Sequence, residues 1–319
     1  MPFFSTIIPV FNRVNLIEFT LNSVLNQEFD DQEIIVVDDG STDNTLEVLA
    51  GYGDQIKVLK QENKGPGAAR NLGIHHAYGK YITFLDSDDL WFPWTLSTYA
   101  QVILQHRLPA FIAGTECHLS DEDEMYSVCP LPLQASYFPD YYASSQQSLW
   151  IGTCAAAIRS DVLREVAGFT EKRINSEDSD LWLKLGVAKG FIYIHSPSVF
   201  IYRRHKNSAT ADRDKTYRGS YYLINQEKNA RYPGAKKRKR ERIKILTRHL
   251  RPVSLESLRQ GDIKKGMELY RDTLMWHIQL MRIRYLLGLP LIAVLLWFRY
   301  MLERSLNYKL ESGISEKNQ

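Results

Sequence analysis

Four β-rich runs within the first ninety residues alternate with helix-patterned stretches, and this alternation most narrowly limits what the chain can fold into. Phe3–Val10, Glu33–Val37, Ile56–Leu59 and Tyr81–Leu85 are short, apolar and rich in branched side chains, as strands covered on both faces are. Between them, Val14–Gln27 carries Val14, Ile17, Leu21, Val24 and Leu25 at helical spacing. Asp43–Ala50 reads as a second helix, and Ala68–Ala77 as a third, opened by Gly65-Pro66-Gly67. Such a pattern predicts an α/β fold, an open and mostly parallel sheet flanked by helices in the Rossmann manner. The strand ends that precede helices then share one edge, where ligands bind, so motifs distant in the chain converge there.

The last of these strands runs straight into Asp86-Ser87-Asp88-Asp89. Residues two apart on a strand face the same way, so Asp86 and Asp88 are expected to emerge together at its carboxyl end. Two hard oxygen donors suit Mg²⁺ or Mn²⁺, whose usual partners are substrate phosphates. Alone, the signal is weak, and a helix N-cap ahead of Leu90-Trp91-Phe92-Pro93 is the commoner reading of an isolated Asp-x-Asp.

With 44% hydrophobic and 24% charged residues in 319, the chain is globular, and its length allows one or two domains. The net charge of +3 conceals a split. Residues 1–200 carry 13 Lys/Arg against 26 Asp/Glu, a net of −13, whereas residues 201–319 carry 27 against 11, a net of +16. A basic half of this kind faces an anionic partner, a membrane surface or a nucleic acid, or else presents solvated helix faces. The run Lys236-Lys237-Arg238-Lys239-Arg240 has no nucleic-acid recognition motif beside it, so no nucleic acid is expected. Cys117, Cys129 and Cys154 form no Cys-x-x-Cys and no zinc pattern with the histidines, which suggests a reducing cytoplasm. Met1-Pro2 leads directly into the first strand, without the basic region and cleavage site of a signal peptide.

Residues 93–147 are less regular, with loop signals around Ser120–Glu124 and Pro130–Gln146. A strand over Thr153–Ile158 is expected to lead to a helix near Asp161–Val166. Glu177–Lys189 reads as a helix with Leu181, Leu185 and Ala188 on one face, and Phe191–Ile194 and Val199–Tyr202 read as closing strands. Beyond His205 the chain turns helical and basic, which divides it into residues 1–210 and 211–319.

Six blocks occur in one order: Ile8-Pro9-Val10-Phe11-Asn12-Arg13, Val36-Val37-Asp38-Asp39-Gly40-Ser41, Gly65-Pro66-Gly67-Ala68-Ala69-Arg70-Asn71, Asp86-Ser87-Asp88-Asp89, Glu177-Asp178 and Tyr202-Arg203-Arg204-His205. In this ordered set the chain resembles the family 2 glycosyltransferases, which have the GT-A fold, over about residues 3–210. The resemblance implies an inverting, metal-dependent transfer from a nucleotide-diphospho-sugar. It implies a donor site built from Pro9, Val10, Phe11, Arg13, Asp39, Gly65, Arg70, Asp86, Ser87 and Asp88, in which Asp39 reads the base. Phe11 stands where tyrosine is common, so a hydroxyl contact is absent. Asp88 is implied as the main ligand of a divalent cation, Mn²⁺ or Mg²⁺, with Asp86 and His205 nearby. On their residue types alone, Arg70 would equally pair with a neighbouring carboxylate, and His205 would equally lie on the surface.

Displacement at the anomeric carbon calls for one carboxylate opposite the leaving group, whereas two flanking carboxylates belong to hydrolysis. The resemblance implies Asp178 as this base, with Glu177 and Trp182 on the acceptor side. Ordinary helix-start acids are the plainer account of Glu177-Asp178.

Leu286–Phe298 is the strongest apolar run, but it is too short for an ordinary spanning helix and contains Gly288 and Pro290. Arg282, Arg284, Arg299 and Arg304 surround it, with Trp276, Tyr285, Trp297 and Tyr300 placed as interfacial anchors would be. A surface contact of 285–300 with an anionic leaflet, on the inner face of the membrane, is one reading; a buried helix or an interface between copies of the chain is the other. The Gln-x-x-Arg-Trp motif and the several spanning helices of the processive members are absent, which favours transfer of a single sugar to a glycan or lipid-linked acceptor in cell-surface polysaccharide biosynthesis. The remaining alternatives are a sugar-phosphate nucleotidyltransferase, disfavoured because Pro9-Val10-Phe11-Asn12 replaces its Gly-rich loop, and a non-catalytic glycan-binding scaffold.

Overall fold

The computed structural model describes the backbone of residues 1–118, 128–203 and 212–315, and the side chains of those up to residue 299. Its first half alternates as expected: β1 (Phe4–Val10), α1 (Ile17–Leu25), β2 (Gln32–Asp38), α2 (Thr45–Ala50), β3 (Lys57–Lys60), α3 (Pro66–His76) and β4 (Tyr81–Phe84). There follow β5 (Leu90–Trp91), α4 (Thr95–Gln105), β6 (Phe111–Gly114), β7 (Glu116–Cys117), β8 (Gln134–Phe138), β9 (Ala156–Arg159), α5 (Ser160–Glu165), α6 (Glu177–Lys184), β10 (Phe191–Ser196) and β11 (Phe200–Ile201). The chain closes with α7 (Arg213–Lys228), α8 (Lys239–Arg259), α9 (Ile263–Gln279) and α10 (Ile283–Ser315).

The main sheet runs β3-β2-β1-β4-β9-β6-β10-β8, and β5-β11-β7 form a small second one. Neighbours β1/β2, β1/β4, β2/β3 and β6/β10 are parallel, while β9 lies antiparallel between β4 and β6. Every residue of β1 is buried because helices cover both faces. The period of two then sends Ile7 to one core, with Ile35, Val37 and Phe84, and Ile8 to the other, with Ile34, Val36 and Leu21. The register pairs Val10 with Asp38 and Ile7 with Phe84, so β1, β2 and β4 deliver their following loops to the same edge.

Two expectations need correction. Residues 93–147 contain α4 and β6, whose apolar Leu96, Tyr99, Val102 and Ile103 face the core at helical spacing. Helix α6 stops at Lys184 rather than Lys189 because Tyr142 occupies the next turn: a Cβ on Gly186 would lie 2.1 Å from its ring, and its hydroxyl donates to Leu183 O at 2.6 Å.

The C-terminal helices share a core with the sheet, since Leu223, Ile224, Ile243, Leu246 and Leu250 belong to the same apolar cluster as Phe111 and Trp182. Two ion pairs tie them down. Arg238 grips Asp140 through both terminal nitrogens at 2.6 and 2.7 Å, and buried Arg242 meets Glu227 at 2.7 and 3.1 Å. Part of the basic run is therefore structural. Among the described residues no helix is long and apolar enough to cross a membrane.

Candidate active site

The first motif follows β1. Asn12 takes a positive φ of 52°, and its side-chain oxygen accepts from Thr42 N at 2.8 Å. Arg13 N donates to Thr45 Oγ1 at 2.9 Å. These bonds fasten the β1–α1 turn to the β2–α2 turn and leave the Phe11 ring 40% exposed at the sheet edge. Behind it, Asp39 is buried and holds the β3–α3 loop: its Oδ1 accepts from Lys64 N and Gln61 Nε2 at 2.8 and 2.7 Å, and its Oδ2 from Gly65 N at 2.8 Å. Gly65, with φ +94°, occupies a region that disfavours a side chain, and it starts α3 directly ahead of Pro66.

The acidic block sits on a turn rather than on the strand, since β4 ends at Phe84 and Asp89 N donates to Asp86 O at 3.0 Å. Strand alternation therefore does not direct these side chains. Asp86 takes Arg70 Nη2 at 2.6 Å, and Asp88 takes Arg13 Nη2 at 3.2 Å. Both remain partly open to solvent, with side chains 35% and 20% exposed. Asp89 turns inward, where it accepts from Arg203 N at 3.0 Å and Cys154 Sγ at 3.2 Å. Burial first, then the Asp86 charge, pushes its carboxyl up to about 8.

The chemistry of the donor set fits a divalent cation: Asp86 and Asp88 are hard oxygen donors within reach of solvent on one turn. Asp89 and Cys154 also place ligand atoms within 4.8 Å of one from Asp86, but the thiol is buried and held protonated by that burial and by the Asp86 and Asp89 charges. His205 lies outside the described residues. Arg203, before it, is sewn to the acidic turn through Asp88 O at 2.5 Å and Asp89.

Arg70 is placed differently from a diphosphate ligand. It is almost completely buried, and besides Asp86 it donates to Glu177 Oε1 at 3.0 Å. The alternative expected for it, an ion pair, is what forms. Its second carboxylate draws the start of α6 to the start of α3. There Asp178 Oδ1 accepts Ser179 N at 2.5 Å, and burial followed by the Glu177 charge raises its carboxyl to about 7, against the pull of Arg70. A carboxylate in that range is matched to taking a proton near neutrality.

Trp182, expected on the acceptor side, is a core residue. It is fully buried, stacks on Phe111 at 4.7 Å and donates its Nε1 to Ile151 O at 3.3 Å, so it seats α6 on the core. The interfacial anchors also fail in part, because Trp276 and Tyr285 are buried packing residues. Tyr141 and Tyr142 are buried as well, whereas Trp150 is 61% exposed. Sequence reasoning passed over Cys154 and Asp89, both buried under the acidic turn; the triple acid in Asp86-Ser87-Asp88-Asp89 was the available signal for Asp89.

The chain is similar to known proteins in sequence and in fold. An uncharacterized glycosyltransferase from Rickettsia prowazekii is 31% identical over 202 residues, covering 61% of this chain and 62% of its own length. Chondroitin synthase from Pasteurella multocida is 27% identical over 235 residues, 72% of this chain and 23% of that protein. The chain thus spans less than two thirds of the length of the curated relatives it matches. Among solved structures, residues 1–349 of S. aureus TarS in complex with UDP-GlcNAc superpose with a TM-score of 0.57 at 19% identity, over 85% of this chain and 90% of that one. Mannosyltransferase PcManGT from Pyrobaculum calidifontis, in complex with GDP-Man and Mn²⁺, gives 0.53 at 17%, over 92% and 87%. These likenesses establish the GT-A fold. The sequence profile of the glycosyl transferase family 2 matches residues 5–166, and the chain belongs to that family.

Proposed function

We propose that this chain is a metal-dependent, inverting glycosyltransferase that moves one sugar from a nucleotide-diphosphate donor to a hydroxyl of a glycan or lipid-linked acceptor. The observation that carries the reading is the junction at Arg70, which brings Asp86 of the acidic turn and Glu177, the neighbour of Asp178, onto one guanidinium. The names of two relatives, chondroitin synthase and hyaluronan synthase, support a role in polysaccharide biosynthesis. Residues 1–210 would form the catalytic unit, with 211–319 as its helical, basic companion.

In this reading Pro9, Val10 and Phe11 wall the base, Asp39 accepts from it while fixing the β3–α3 loop, and Gly65 lets that loop approach the donor. Asp86 and Asp88 would hold Mn²⁺ or Mg²⁺, which supplies Lewis-acid stabilisation of the departing diphosphate. Asp178 takes the acceptor hydroxyl proton as the oxygen attacks the anomeric carbon. A new C–O bond forms there while the bond to the donor phosphate breaks on the opposite face, and the nucleoside diphosphate leaves with that electron pair. One base and one departing group on opposite faces give inversion.

Peripheral association with the inner face of a membrane fits helix α10, on which Leu287, Leu291, Val294, Leu295, Trp297 and Phe298 are exposed while Leu289 and Ala293 pack inward.

The test is thermal stabilisation by UDP-, GDP- and dTDP-sugars with Mn²⁺, in wild type, Asp88→Ala and Asp178→Asn. One donor should stabilise wild type and Asp178→Asn but not Asp88→Ala, and Asp178→Asn should lack transfer. Stabilisation by no donor, or near-normal transfer by Asp178→Asn, would overturn the respective assignment.

A further inference from the structure

Residues 169–176 form no helix or strand and lead into α6, whose first turn carries Glu177 and Asp178. At their end Ser176 takes φ 78° and ψ 21°, a left-handed conformation that a residue with a Cβ holds only where its surroundings impose it. Asp180 N donates to Ser176 O at 3.1 Å, so this bend sets where α6 starts and which way its first turn faces. The segment is tied at both ends. On the donor side, Asn71 of α3 grips the backbone of Phe169, its Nδ2 donating to the carbonyl at 3.0 Å and its Oδ1 accepting the amide at 2.9 Å. Arg173 donates to Asn63 O in the β3–α3 loop.

The other end is held by α7, from the C-terminal helices. Asn175 N donates to Lys215 O at 3.3 Å, and its side-chain Nδ2 donates to Thr216 Oγ1 at 2.8 Å and to Asp212 O at 3.3 Å. Thr216 Oγ1 spends its own proton on Asp212 O at 3.0 Å, which leaves its lone pair for Asn175. The backbone comes closer still: a Cβ on buried Gly219 would stand 1.7 Å from Asn175 O. Glycine inside a helix is unfavourable by itself, so this approach is what Gly219 serves.

We propose that Asn175, Thr216 and Gly219 are positioning residues for Asp178. Helix α7 clamps residues 175–176 in the left-handed bend from which α6 starts, and with Arg70 holding Glu177 from the α3 side this fixes where the Asp178 carboxyl stands. Strain at a residue two positions before the base is kept because two separate elements enforce it. The inference rests on the glycosyl-transfer reading and carries its catalytic machinery past residue 210 into α7. The three residues touch no substrate and act only through the placement of Asp178.

The experiment uses the full chain with Mn²⁺ and UDP-GlcNAc, GDP-mannose or dTDP-glucose, water serving as the acceptor. Release of the nucleoside diphosphate, donor affinity and amide exchange in α6 are read together, and turnover counts only in so far as Asp178→Asn abolishes it. Thr216→Val keeps the shape of the side chain and removes the acceptor. It should lower kcat about tenfold or more at unchanged donor affinity and quicken exchange at Ser179 and Asp180. Thr216→Ser keeps the hydroxyl and should restore both. Asn175→Ala removes the other half of the bond and should match Thr216→Val, so it decides the matter if Thr216→Val does not fold. Wild-type kcat in these variants overturns the proposal even if exchange quickens, because the clamp would then serve the helix alone. A fall in donor affinity that accounts for the lost turnover also overturns it, by moving the effect to the β3–α3 loop. If wild type binds none of the donors, the glycosyl-transfer reading fails instead, and unchanged exchange in Thr216→Val would then overturn the clamp by itself.

Discussion

Arg70 Nη1 donates to Glu177 Oε1 at 3.0 Å across 107 positions of sequence, and the same guanidinium holds Asp86 at 2.6 Å. The cation is nearly buried, so its removal leaves Glu177 and Asp86 without their shared counter-charge. Arg70→Met is expected to cost about 3 kcal/mol in denaturant unfolding, the lower end for breaking a buried pair. Arg70 also pulls the Asp178 carboxyl down, so the acid limb of the rate profile should move to higher pH in a folded charge-removing variant such as Arg70→Gln. An unmoved limb would mean that Arg70 serves the fold alone.

Asp178 itself sets the pH dependence. Burial and Glu177 raise it to about 7, so the ionised, proton-accepting form appears only as pH climbs through neutrality. kcat/KM should rise with pH across that value, and this is read from initial rates at saturating Mn²⁺. The linkage to stability has the opposite sense. The folded state holds this proton more tightly than the unfolded chain, whose aspartates titrate at about 3.9, so stability falls as pH rises between the two values. Asp178→Asn keeps the acceptor for Ser179 N and removes the charge. Its Tm should exceed that of wild type at pH 8 and approach it at pH 4, and equal Tm values throughout would show that Asp178 is not strained.

Much of this was legible in the sequence, for identifiable reasons. Strands such as β1 are covered on both faces, so Phe4–Val10 is largely apolar with Ser5 and Thr6 buried as well, and the motifs at its end and at the ends of β2 and β4 converge through parallel register. Composition could not tell which polar residues turn inward. Arg70 and Asp89 are buried by tertiary partners 16 to 114 positions away, and Trp182 is claimed by Phe111. Among the described residues Arg248, Arg251 and Arg282 donate to backbone carbonyls rather than carboxylates, and only packing separates them from Arg238 and Arg242 within the basic half. Helix α4 carries a regular apolar face within residues 93–147, a region that the loop signals around Ser120–Glu124 and Pro130–Gln146 mark as irregular.

Helix α10 offers a direct check of membrane contact. Leu287 and Leu291 are 70% and 60% exposed, so Leu287→Glu with Leu291→Glu should leave Tm within about a degree of wild type. Flotation with phosphatidylglycerol vesicles should drop sharply in the double variant, since each charge must be drawn into the interface. Equal flotation would transfer the contact to another surface, and a collapsed Tm would mean that the apolar face is covered within the protein.

Asp39 joins loop structure to donor recognition. Its two oxygens accept from Lys64 N, Gly65 N and Gln61 Nε2, and those amides form the approach to α3. An asparagine retains one acceptor and turns an NH₂ group toward an amide that also donates. Asp39→Asn should therefore leave one buried amide unsatisfied and lower stability by about 1–3 kcal/mol, as denaturant unfolding would measure. The loosened loop should show faster hydrogen exchange at Lys64 and Gly65, and Mn²⁺-dependent donor affinity should fall with it. Because Asp39→Ala loses every acceptor, it should weaken the donor further. If the donor still bound Asp39→Ala as tightly as wild type while those amides exchanged quickly, Asp39 would be a loop clamp without a part in reading the base.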